Sequence, residues 1–136
     1  MEKLKTETII SVTSKYLSER VDITFAYLFG SYAKDKQTHL SDIDIAVYMK
    51  EDNHAFDKKL EILRDLSKIL KTDDIDLVIL NKAPISLLTK ILVNKAILID
   101  KDPPVRHAFE SLNMRMGFDF SFLENRILEQ RFLSGK

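Results

Sequence analysis

The chain has 136 residues, 45% hydrophobic and 31% charged, which is enough for one domain with a packed core and too apolar for a disordered tail. Its 21 basic and 21 acidic residues cancel to a net charge of +0, which argues against a polycationic nucleic-acid binder, and no direct nucleic-acid binding is expected. The absence of cysteine excludes disulfides and thiolate metal sites.

The start, Met1-Glu2-Lys3-Leu4-Lys5-Thr6-Glu7, is charged and lacks the apolar core of a signal peptide. No apolar run approaches the ~20 residues of a membrane span, so a cytoplasmic protein without membrane contact is expected. From about Thr6 to Ser18, the residues Ile9, Ile10, Val12, Tyr16 and Leu17 form the apolar stripe of a helix. Ile23 to Phe29 is β-branched and aromatic, alternates at Ile23, Phe25, Tyr27 and Phe29, and reads as a strand. Gly30 then lets the chain bend sharply and leaves no side chain between the backbone and a ligand. Ser31 stands where a short helix is expected to begin, with free N–H groups suited to a phosphate; the helix runs from Tyr32 to about Lys36.

The polar connection Gln37-Thr38-His39-Leu40 and Ser41 lead into a second strand, Asp42 to Met49. Asp42 and Asp44 are two apart, so both carboxylates project from one strand face while Ile43, Ile45 and Val47 face the core. Adjacent like charges call for a cation between them, and two divalent ions about 3.5–4 Å apart serve in-line phosphoryl chemistry. Phe56, Leu60, Leu63, Leu66 and Leu70 have the spacing of a helix burying one face. Thr72-Asp73 turns the chain into a strand from Ile75 to Leu80, which carries Asp76 on the same side as Asp74. Pro84 opens a helix to about Asn94, and Ala96 to Asp100 is a short apolar strand suited to a sheet edge.

Asp102-Pro103-Pro104 breaks the chain, and an amphipathic helical tail follows. Phe109, Leu112 and Met116 form one apolar set, Phe120, Leu123 and Ile127 another, with Gly117 between. The element order implies an α/β (α+β) domain, a small mixed sheet flanked by helices. Residues 1–136 read as a single domain, and 103–136 as a C-terminal helical segment available to a partner. Lys34, Lys36 and Arg106 are basic residues that could neutralise a triphosphate. His39, His54 and His107 lack metal-ligand spacing and read as surface residues, with His39 the one close in sequence to the acids.

Gly30-Ser31, ten intervening residues and Asp42-Ile43-Asp44 resemble the GS-x10-DxD signature of the polymerase-β-like nucleotidyltransferase superfamily. The third acid of that pattern matches Asp76 in Asp74-Ile75-Asp76-Leu77-Val78; Asp74 is the rival, and the apolar residues that follow favour Asp76. The resemblance covers roughly Ile23 to Asp100, with a weaker echo in Phe118-Asp119-Phe120. Length and tail are similar to the minimal nucleotidyltransferases (MNT proteins) that pair with HEPN-domain toxins. This resemblance implies ATP with its phosphates on Gly30 and Ser31, and two Mg²⁺ ions held by the catalytic acids Asp42, Asp44 and Asp76. It also implies transfer of AMP to a hydroxyl, a tyrosine by the family pattern, of an HEPN RNase toxin that the chain silences as its antitoxin. Two other readings stay open: an antitoxin acting by stoichiometric contact, and a transferase acting on a small-molecule hydroxyl. The short chain leaves little room for an acceptor domain, which weighs against the last.

Overall fold

A computed structural model describes residues 5–34, 41–51 and 53–117. Lys36, His39, the Phe118-Asp119-Phe120 echo and the Phe120, Leu123, Ile127 stripe lie outside the described residues. The elements are α1 (Thr6–Ser18), β1 (Ile23–Phe29), α2 (Gly30–Ala33), β2 (Ile43–Met49), α3 (Ala55–Leu70), β3 (Ile75–Ile79), α4 (Ile85–Val93) and β4 (Ala96–Asp100). A last helix, α5, covers residues 103–117.

The strands form one mixed sheet in the order β3-β2-β1-β4, in which β1 is antiparallel to β2 and β4, and β2 is parallel to β3. The parallel pair needs a crossover, which α3 supplies. Central β1 is buried on both faces, so Ala26 and Leu28 are core residues as well as Phe25 and Tyr27. One face, with Ala26, Leu28, Ile45 and Val47, packs on Ile9 and Leu17 of α1 and Ile62, Leu66 and Leu70 of α3. The other, with Phe25, Tyr27 and Ala46, packs on Leu88, Ile91 and Leu92 of α4 and Phe109 of α5. Phe25 stacks on Tyr48 with ring centres 4.6 Å apart, and Phe109 closes edge-on against Tyr48 at 5.1 Å. β4 is an edge strand, as its short length suggested.

Several expectations shift. In α3 the core positions are Ile62, Leu66 and Leu70, whereas Phe56 is 70% and Leu60 50% exposed. Ile62 lies one turn before Leu66 and takes the inward position, which turns Leu60 to the flank; Phe56 sits in the first turn. In α5 the residues turned inward are Phe109, Asn113 and Gly117; Leu112 and Met116 are about half exposed, at 54% and 49%. Asn113 is tolerated because its amide donates to the Phe109 carbonyl at 2.8 Å, and a Cβ on Gly117 would come within 3.2 Å of Thr89 Cβ in α4. Pro103 and Pro104 open α5, whose first N–H groups have no intrahelical acceptor to lose. β3 ends at Ile79 and passes into a single 3₁₀ turn, Leu80–Lys82, while Pro84 caps α4 from outside.

Candidate active site

The acids gather at one end of the sheet, where β1 ends and β2 and β3 begin. Phe29 pairs with Asp44 across β1 and β2, and Asp44 pairs with Asp76 across β2 and β3. Register partners on adjacent strands point to the same face with Cβ atoms about 5 Å apart. Alternation puts that face on the α4/α5 side, with Ala46 and Tyr48 further along β2. Asp42 stands just before β2 and is exposed, as is Asp76, while Asp44 is half-buried. Asp74 does not enter β3; its carbonyl accepts the Ile43 N–H at 2.9 Å and so splices the start of β2 to the segment before β3.

Burial, then the charge of Asp76, then that of Asp42 raise the Asp44 pKa to about 6. A carboxylate that resists ionisation for these reasons is one that a cation would relieve. Among the described residues no group of three or more His, Cys, Asp or Glu side chains is arranged to hold a metal ion. The donor set is nonetheless all carboxylate oxygen, open on one side. It fits Mg²⁺, which binds through one or two carboxylates and is completed by substrate phosphates and water.

Gly30 supplies the other half. It follows extended Phe29, has a φ of 72°, and is itself the first residue of α2. The helix therefore begins a residue before Ser31, which sits inside the turn rather than capping it. One turn is too short for a large dipole; what it offers an anion is backbone N–H at Gly30 and Ser31. Tyr32 is buried among Ile9, Leu28 and Leu66 on the far side of the sheet, pinning this turn in place. Sequence reasoning gave Tyr32 no role; the one available signal was an aromatic side chain directly after a polar glycine turn.

The other candidates separate. Lys34 closes α2 and is exposed beside the turn. Arg106 is elsewhere: its guanidinium donates to Asp100 at 2.7 Å and to Glu110 at 2.9 Å, and Asp100 pairs with Phe25, towards the opposite end of β1. These partners hold it as a structural cation. A groove of about 380 Å³ lined by Thr24, Tyr48, Lys50 and Lys101 also lies at that opposite end and contains neither the acid pair nor the glycine turn.

The profile described as polymerase beta, nucleotidyltransferase, matches residues 11–104, from within α1 through β4. The chain belongs to this nucleotidyltransferase family. A putative protein adenylyltransferase of Methanocaldococcus jannaschii is 41% identical over 63 residues, 46% of this chain. The chain spans 63% of that relative's own length. Among solved structures, a chain from a toxin–antitoxin complex with AMP-PNP superposes with a TM-score of 0.70 at 26% identity, covering 95% of this chain and 99% of that one. A chain from the complex of a tri-AMPylated Shewanella oneidensis HEPN toxin with its MNT antitoxin gives 0.69 at 24% identity, over 93% and 98%, and shares the fold. Among the described residues no helix is long and apolar enough to cross a membrane.

Proposed function

We propose that this nucleotidyltransferase transfers AMP from ATP to a hydroxyl of a partner protein, a HEPN toxin whose tyrosine is the acceptor, and thereby acts as its antitoxin. The observation that carries the reading is the register pairing of Asp44 with Asp76, with Asp42 before them, beside the Gly30 turn. In this reading the backbone at Gly30 and Ser31 binds the phosphates, and Asp42, Asp44 and Asp76 hold Mg²⁺. The bound ions would polarise the α-phosphate and offset charge on the departing pyrophosphate. A carboxylate of the cluster would act as the general base that takes up the proton of the acceptor hydroxyl. The partner supplies the acceptor, and the exposed flank of α5 carrying Val105, Leu112 and Met116, beside the inward Phe109, is the surface proposed to meet it. The likeness to chains from toxin–antitoxin complexes, one crystallised with AMP-PNP, supports both nucleotide and partner.

The test is brief exposure of the partner to a substoichiometric amount of this chain with ATP and Mg²⁺, then separation, intact-mass spectrometry and an RNase assay. Transfer predicts AMP mass on many partner molecules and silence that outlasts separation. An unmodified partner, inhibited only at stoichiometric ratios and equally by an Asp42→Asn/Asp44→Asn chain, would replace transfer with inhibition by contact.

A further inference from the structure

We infer that Gly30 is bare in order to seat the Asp44 carboxylate, which makes it a positioning residue of the acid clamp and not only a point of close phosphate approach. A Cβ built on Gly30 would overlap Asp44 Oδ2 and lie 3.0 Å from Asp44 Cγ. The first obstacle to a side chain is therefore the clamp itself. The register explains why: Asp44 pairs with Phe29, the residue immediately before Gly30, so its side chain rises beside the glycine as β1 bends into α2. Two residues on, Tyr32 is buried in the core on the α1/α3 side and anchors the turn there. A methyl group there pushes the carboxylate off its position beside Asp76.

This inference rests on the metal role given to Asp44 above only for its functional consequence; the steric seat stands on geometry alone, and the two are tested separately. The steric arm is a double-variant cycle read by urea denaturation of metal-free protein. Gly30→Ala in the otherwise unchanged chain carries both the strain of a positive φ and the overlap with Asp44. In an Asp44→Ala chain only the strain remains, because Asp44 Cβ lies at an ordinary contact distance of 3.4 Å. The midpoint lost on Gly30→Ala should shrink in the Asp44→Ala background. Equal losses in both backgrounds overturn the inference. If Gly30→Ala alone does not fold, recovery of cooperative unfolding on adding Asp44→Ala supports it, and no recovery overturns it. The functional arm measures Mn²⁺ binding to nucleotide-free protein by electron paramagnetic resonance. Affinity should fall about tenfold or more in Gly30→Ala, the scale on which groups that orient metal ligands act. Unchanged Mn²⁺ affinity overturns the positioning role. A wild-type chain that binds no Mn²⁺, with coupling still present in the cycle, removes the metal assignment and leaves the seat supported.

Discussion

The Asp44 carboxylate lies against Gly30 and beside Asp76, in a half-buried position where burial and the neighbouring acids lift its pKa to about 6. In the metal-free protein its negative charge is therefore a liability. Asp44→Asn keeps the shape and removes that charge, so at about pH 7.5 without metal the variant should melt no lower than wild type, and higher if the repulsion is as placed. Transfer should nevertheless fall by about a hundredfold or more in Asp44→Asn and in Asp42→Asn, the scale on which preorganised charge at a reacting centre is felt. Thermal melts in EDTA and AMP incorporation into the partner check the two halves; an Asp44→Asn chain with normal transfer would remove the acid from the chemistry. At this scale the sequence was legible in kind. Spacing singled out the glycine, serine and acids as candidates; register sets Asp44 beside Asp76, while Asp42, expected inside the strand, stands just before β2. That Gly30 touches Asp44 could not be picked out, because the contact depends on the inter-strand register, which no local pattern encodes.

Helices show where periodicity stops informing. The apolar spacing of α3 marked a helix correctly, yet it gave Phe56 and Leu60 to the core, where the fold puts Ile62. Several apolar residues lie around this helix, and only the surfaces of α1 and β3 decide which of them face inward. Leu66→Ala should cost ~2–5 kcal/mol, as a fully buried leucine does. Phe56→Ser should stay within about 0.5 kcal/mol. Urea denaturation ranks them, and the reverse ranking would mean a helix rotated from this position. α5 makes the point more sharply, since its inward residues include an asparagine and a glycine. Gly117 is buried because Thr89 leaves no space for a side chain, not because glycine is apolar. Gly117→Val should destabilise by about 1–3 kcal/mol through overpacking, and Thr89→Ala should recover part of that loss. Additive effects of the two substitutions, by the same measurement, would show that the helices do not meet there.

The molecule as a whole carries charge arrangements with opposite responses to acid. At the site, Asp44 has a folded pKa of about 6 against an ordinary 3.8, so the folded state binds the extra proton. Its contribution is favourable at low pH and is lost as pH rises through about 6. Away from the site the sign reverses. Glu110 feels burial pushing its pKa up, but the Tyr27 hydroxyl, donating at 2.6 Å, and Arg106 outweigh it and hold the carboxylate below its usual 4.5. Asp22 is likewise lowered, by the Arg20 guanidinium that also reaches Glu61 of α3. These groups stabilise the fold above the ordinary carboxylate range, and that stability is lost as pH falls through their lowered values. One set fastens α5 to β1, the other joins α1 to α3, so acid loosens both helical layers. The lowered carboxylates have given their full stabilisation once pH reaches their ordinary values of 3.8 and 4.5, and the Asp44 contribution falls from 3.8 up to about 6. The metal-free protein should therefore be most stable in the ordinary carboxylate range and lose stability from there towards pH 6. With Mg²⁺ and a non-hydrolysable ATP analogue, the acids gain their counter-charge and the maximum should move to neutral pH or above. Urea midpoints measured across pH, with EDTA or with Mg²⁺ and the analogue, decide it. A metal-free profile that rises through the carboxylate range and then stays level to neutral pH would show that the repulsion at Asp44 does not limit the fold, and an Asp44→Asn chain should give that profile by design.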